Sequence, residues 1–174
     1  MRLPPLPDGQ WDDTVRKALS VMLPTARQNP DRAGNAIGTL VRHPDLTAAF
    51  LTFNSHLLLR SSLPPRQREL AILRIARRRG CAYEWGHHVR IAGKVGLTEA
   101  EIEDAAQGKA AGELDSAVLR AVDELDEDSD LSDATWAVLS SHLEERQVMD
   151  LVFTIGAYIM CAMAFNAFGI ELEH

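Results

Sequence analysis

Cysteine is scarce in this chain: Cys81 and Cys161 are the two among 174 residues. Two thiols cannot build a disulfide framework, which agrees with a reducing compartment. Aromatic residues make up only 6%, and no sustained alternation of apolar and polar side chains occurs, so nothing reads as a strand. Basic charge is in deficit, with 18 Lys and Arg against 25 Asp and Glu and a net charge of −7. A phosphate-binding surface needs the opposite balance, which excludes nucleic acid as an expected partner. An apolar leader is missing too: Pro4, Pro5, Pro7 and Asp8 stand where a signal peptide would need an apolar run, so a cytoplasmic protein is expected. No phosphate-binding glycine loop, dinucleotide fingerprint or G-x-S-x-G elbow occurs, which disfavours nucleotide and serine-hydrolase chemistry.

What is present is enough for a core. Apolar residues make up 46% and charged residues 25%, the balance of one ordinary globular domain. Helical periods run throughout, so the expected class is all-α. Residues 1–30 read as an arm and a first helix, from about Asp13 to Met22 and stopped by Pro24. Residues 31–174 read as the helical domain proper. Its helices are predicted over about Ala33–Val41, Asp45–Arg60, Pro64 or Pro65 to Gly80, Cys81–Val95, Leu114–Leu125, Asp133–His142 and Arg146–Phe168. Gly80 is a natural C-terminal stop, and Thr98 with Glu101 three residues on spells a capping box. From Leu151 to Ile170 there is no charged residue. That length could span a bilayer, but the run contains Thr154, Gly156, Asn166 and Gly169 and no Lys/Arg cluster flanks it, so it reads as a core helix. The closing Leu172-Glu173-His174 is similar to an expression-tag remnant and stays outside the fold reading.

The informative residues are polar ones on apolar faces. At about 100° per residue, Cys81, Glu84 and His88 fall within roughly 60° of arc, with Ile91, Ala92 and Val95 continuing that side. Tyr83, His87, Arg90 and Lys94 take the opposite side, so His88 rather than its neighbour His87 is directed inward. On the preceding helix Ile72, Leu73 and Ala76 define an apolar stripe with Glu69 at its middle. A carboxylate there is costly unless it is paired, protonated or hydrogen-bonded. Glu69 lies about 16 Å before Gly80 along a helix axis and His88 about 12 Å after it. An antiparallel hairpin turning at Gly80 therefore brings Glu69, Cys81, Glu84 and His88 together. Such a cluster either locks two helices or carries chemistry; two carboxylates, a His and a thiol on facing stripes favour chemistry. Arg77-Arg78-Arg79 reads as a solvated, dipole-complementing helix end. The acidic run from Asp123 to Asp133 reads as a solvated loop: as a calcium loop, Asp126-x-Asp128-x-Asp130 lacks Gly at the sixth place (Leu131) and Glu at the twelfth (Ala137).

The pattern Glu69-x11-Cys81-x2-Glu84-x3-His88 resembles the signature of the carboxymuconolactone decarboxylase family within the alkyl hydroperoxidase D-like superfamily. The hydroperoxidase branch has a second Cys where Glu84 stands. The run Tyr83-Glu84-Trp85-Gly86-His87-His88, the preceding LPPRQRELAILRIARRRG stretch and His56 before it look like the decarboxylase-type branch, which lacks the CxxC pair. The resemblance is strongest over about Arg42 to Ala105. It implies an alkyl hydroperoxidase D-like helical bundle, a homotrimer or homohexamer and a small-molecule substrate; no sequence pattern demands a cofactor or metal. Its site residues would be His88, Glu84, Glu69, Cys81 and His56.

Three functions are then open. The leading one is a cofactor-independent lyase or isomerase on a small carboxylated or lactone substrate, with His88 as proton donor, His56 as a second candidate acid, and Arg74 or Arg90 gripping a substrate carboxylate. The second is peroxidase or antioxidant chemistry at Cys81, which cannot close a disulfide with Glu84. The third is a non-catalytic oligomer that binds a small molecule, or a metal through Cys81, Glu84 and His88.

Overall fold

The computed structural model describes residues 1–173; His174, part of the closing Leu172-Glu173-His174, lies outside them. Among the described residues all regular structure is helical. The helices are α1 (Asp13–Leu19), α2 (Pro30–Ala33), α3 (Asn35–Leu40), α4 (Pro44–Leu59), α5 (Pro65–Arg78), α6 (Ala82–Lys94), α7 (Glu99–Ala106), α8 (Glu113–Glu127), α9 (Asp133–His142) and α10 (Glu145–Phe168), with single 3-10 turns at Asp8–Gln10 and Thr25–Arg27. The chain divides into two compact units, residues 1–60 with 165–174 and residues 61–164.

In the first unit the Asp12 carboxylate accepts the Val15 N–H at 3.0 Å and starts α1. That helix ends at Leu19, sooner than the expected Met22. The helix expected over Ala33–Val41 is α3, Asn35–Leu40, which Gly34 at φ +82° separates from the short α2 before it. Trp11, Val15, Leu19, Leu23, Ala33, Val41 and Leu51 form the core of this unit. Trp11 anchors it by donating its indole N–H to the Leu6 carbonyl at 3.0 Å.

The second unit is organised around α5, which packs on α6, α7 and α8. Pro65 opens α5 at the position where a missing N–H costs nothing. Gly80 at φ +58° ends the connection and lets α6 fold back. Leu70, Ala71, Ile72, Leu73, Ile75 and Ala76 on α5 are all 2% exposed or less, against Val118, Leu119, Ala121 and Val122 of α8, each at 0%. The predicted capping box is present: Thr98 Oγ1 accepts the Glu101 N–H at 3.3 Å, and Glu101 Oε2 accepts the Thr98 N–H at 2.8 Å.

The acidic run is not a loop over most of its length. Asp123 and Asp126 lie on α8 and face α5. Arg74 forks onto Asp123 at 2.8 and 3.0 Å, Arg78 reaches Asp126 at 2.8 Å, and Arg79 reaches Asp126 at 2.6 Å. The α5 arginines thus fasten two helices rather than merely complementing a helix end. Within this unit Asp150 of α10 accepts both the N–H and the hydroxyl of Ser62, at 2.7 and 2.8 Å. α10 is long and apolar enough to cross a membrane by length and composition, yet half of its most apolar window is buried within the chain.

Candidate active site

The hairpin of α5 and α6 sets the site inside the second unit. Glu69 lies on the inner face of α5 at 0% exposure, and His88 on the inner face of α6 at 5%. Their side chains meet, with His88 Nδ1 2.7 Å from Glu69 Oε2. The other ring nitrogen, Nε2, lies 3.3 Å from Glu84 Oε2, one helical turn back on α6. The ring is therefore gripped tightly on one side and loosely on the other. Glu69 in turn accepts from the Nε–H of its neighbour Arg68 at 3.1 Å. Two carboxylates thus face a guanidinium and an imidazole.

These neighbours decide the protonation of the ring. Burial works against a charged imidazole, but the hydrogen bonds to Glu69 and Glu84 outweigh it and raise the pKa of His88 to about 9. At neutral pH His88 is an imidazolium with two donor N–H groups. The phenol ring of Tyr158, from α10, stands edge-on to it, with centroids 5.1 Å apart and planes at 88°. Burial, then the Glu84 and Cys161 charges and the Glu69 carboxylate, push the Tyr158 hydroxyl well above its ordinary pKa, so it remains a neutral donor.

Cys81 precedes α6 at its N-cap and is 1% exposed. Burial raises the pKa of its thiol. The backbone N–H of Glu84 and that of Tyr83 pull the other way, while the Glu84 carboxylate adds to the rise. The net direction is up, so the helix start does not produce a thiolate. Cys161 on α10 is pushed up further, by burial and then by Glu84 and Cys81. Among the described residues no group of three or more His, Cys, Asp or Glu is arranged to hold a metal ion.

The expected residues therefore divide. Glu69, Glu84 and His88 come together as a hydrogen-bonded triad, and Cys81 shares the electrostatic environment of Glu84. His56 belongs to the first unit, where it is exposed on α4. Both arginines named as a carboxylate grip have partners of their own in the structure. Arg74 is bound to Asp123 and to the Ala106 carbonyl, and Arg90 to His87 and the Gly86 carbonyl. Tyr83, assigned to the polar side of its helix, is 9% exposed, its ring centroid 4.5 Å from that of His87.

Sequence reasoning missed Arg68 and Tyr158. Tyr158 left a trace, because Thr154, Tyr158 and Cys161 share one face of a charge-free helix. Arg68 left none: it lies 100° around the helix from Glu69, and only its bent side chain brings it back.

Comparison with known proteins adds the following. The model of the carboxymuconolactone decarboxylase family matches residues 44–127. No curated protein matches the chain. Among solved structures, the alkylhydroperoxidase AhpD core of a peroxidase-related protein from Ralstonia eutropha JMP134 superposes with a TM-score of 0.77 at 18% identity, covering 98% of this chain and 93% of that one. A peroxidase-related protein from Silicibacter sp. TM1040 gives 0.77 at 15% identity, covering 98% and 92%. A cysteine-to-alanine variant of the debrominase Bmp8, in complex with 2,3,4-tribromopyrrole, gives 0.72 at 17% identity, covering 98% and 91%. At these identities the likeness is one of fold.

Proposed function

We propose that this chain, a member of the carboxymuconolactone decarboxylase family with an AhpD-like fold, is a cofactor-independent lyase or isomerase that protonates a carbanionic centre on a small carboxylated or lactone substrate. The observation that carries the reading is the asymmetric clamp on His88, 2.7 Å to Glu69 and 3.3 Å to Glu84. The shorter contact fixes the ring and its Nδ1 proton. The longer one leaves the Nε2 proton as the one that can be given away. When a carboxylate leaves as carbon dioxide from a position beta to a carbonyl, its bonding electrons stay on the organic fragment as an enolate. The Nε2–H of His88 protonates that carbon, and the neutral imidazole regains a proton from water past Glu84, the most exposed of the three at 7%. Arg68, whose side chain is 13% exposed, is the cation that meets a substrate carboxylate. The absence of a second cysteine at Glu84 fits the decarboxylase-type branch.

A second reading keeps one specific support. The backbone N–H groups of Tyr83 and Glu84 favour the thiolate of Cys81, and the fold is shared with peroxidase-related proteins and a debrominase. The raised thiol pKa argues against it.

The two readings separate by mutation. In the proton-transfer reading His88→Ala lowers turnover of a β-keto acid or lactone by about 100-fold or more, Arg68→Lys raises KM, and Cys81→Ser is mild. The wild-type rate falls as pH passes about 9, where His88 loses its proton. In the thiol reading Cys81→Ser abolishes peroxide reduction, because a hydroxyl does not replace a thiolate nucleophile. Circular dichroism on each variant separates lost chemistry from lost fold. Activity that survives His88→Ala but not Cys81→Ser overturns the proposal.

A further inference from the structure

Tyr158 brings to the triad a group for which proton transfer at His88 has given no task. It lies on α10 within the second unit, 3% exposed, its ring centroid 5.1 Å from that of His88 and its plane at 88° to the imidazole. Phenylalanine would make the same ring contact. What tyrosine adds is the hydroxyl, and the described residues offer it no hydrogen-bond partner. A buried phenol ordinarily has one, because leaving water without a replacement is costly.

The neighbours of the phenol show which side of His88 it serves. The Glu84 carboxylate acts on it more strongly than that of Glu69, although Glu69 is the more deeply buried of the two. Charge interactions grow with burial and fall with distance, so the phenol oxygen lies on the Glu84 side. That is also the side of Nε2, which stands 3.3 Å from Glu84, whereas Nδ1 is held by Glu69 at 2.7 Å. A neutral O–H donor thus shares one side of the ring with the N–H that is free to leave.

We propose that Tyr158 is a further catalytic residue, whose hydroxyl donates a hydrogen bond to the substrate oxygen that becomes anionic as the reaction proceeds. The proposal rests on the lyase or isomerase reading. It adds to that reading a carbonyl oxygen on the carbon next to the one that gains the proton. As the carboxylate departs as carbon dioxide, the electrons of the broken C–C bond form a C=C bond. The carbonyl oxygen takes the negative charge, and the Tyr158 O–H binds it there. His88 then gives its Nε2 proton to the carbon, and the C=O bond re-forms. The phenol keeps its own proton throughout, since burial and the nearby carboxylates hold it far from ionising. A donor aimed at charge that develops during the reaction acts on the rate more than on substrate binding. Thr154, one turn earlier on α10, supplies a control: its hydroxyl also lacks a partner, but it is fully enclosed at 0% exposure.

The test uses oxaloacetate and acetoacetate as β-keto acids, and oxalate as the mimic of the enolate that oxaloacetate leaves. Tyr158→Phe keeps the ring and should lower kcat by about 100-fold with KM nearly unchanged. Calorimetry should show oxalate binding weakened by about 10-fold or more. The fall in rate near pH 9 should stay in place, because His88 keeps its neighbours. Thr154→Val should alter none of these, and circular dichroism checks the fold of both variants. An active wild type with Tyr158→Phe at full kcat overturns the inference and leaves the lyase reading standing. A displaced alkaline limb in Tyr158→Phe also overturns it, by making the phenol a partner of His88 alone. A wild type that turns over neither β-keto acid, yet binds oxalate through Tyr158, removes the lyase reading and keeps the oxygen-binding role. A wild type that does neither removes both.

Discussion

An imidazole wedged between two carboxylates holds its second proton more firmly in the folded chain than in the unfolded one. The folded pKa of His88 is raised from 6.5 to about 9, so the native state binds more protons than the unfolded state between those values. The stabilisation is complete below about pH 6.5 and is lost as pH rises through about 9. Thermal melts across that window should show the midpoint falling with pH. The same series on His88→Gln should lose most of that slope, and a slope that persists in the variant assigns the effect to other groups. At this scale much of the site was legible. Glu69, Glu84 and His88 stood out because each is a polar group on an apolar stripe, which folding cannot leave unpaired. Arg68 and Tyr158 were not legible, since a long side chain that bends and a ring from a distant helix have no fixed spacing to the triad. His56 was drawn in by resemblance alone, and it belongs to the other unit.

Helix ends were the most readable elements, because their signals are local. Two of them bear on the hairpin that builds the site. The Thr98–Glu101 box starts α7, which packs on both α5 and α6. Thr98→Ala should cost about 1 kcal/mol in urea unfolding, with little effect on the His88 environment, because Thr98 is exposed and its hydroxyl bonds to Glu101. Gly80 holds φ +58°, and a Cβ there would meet no neighbouring atom. Gly80→Ala therefore isolates backbone strain and should cost about 1–2 kcal/mol; a neutral result would mean the turn relaxes to another conformation. Interior breaks were harder to read. Gly34, at φ +82°, separates the short α2 from α3, and no capping signal in the sequence marks that break. The acidic run reads as a solvated loop by composition, but its Asp123 and Asp126 lie on α8 and pair with Arg74, Arg78 and Arg79.

For the molecule as a whole, the two thiols report on opening. Cys81 is 1% exposed and Cys161 4%, and burial raises the pKa of both. Labelling of the native protein by a neutral-pH thiol reagent should be slow at both positions, and should accelerate together with loss of helical signal as urea is added. Fast labelling of Cys81 alone in the folded protein would show a reachable, ionised thiol and strengthen the peroxidase reading. The net charge of −7 bears on solubility and says nothing of which site is used.

The sequence by itself determined the helical class, most helix boundaries, the hairpin turn at Gly80 and the meeting of Glu69 with His88. These follow from the 3.6-residue period, from capping chemistry and from the cost of burying an unpaired charge, all of which act between near neighbours in the chain. Only the tertiary structure decided which nitrogen of His88 is held tightly, that Arg68 is the guanidinium beside Glu69, that Tyr158 stands against the ring, and that burial raises the pKa of the Cys81 thiol. Those outcomes depend on ångström distances between groups from separate helices, and electrostatic balance in a dry interior changes sign over such distances while the pattern of residues stays the same.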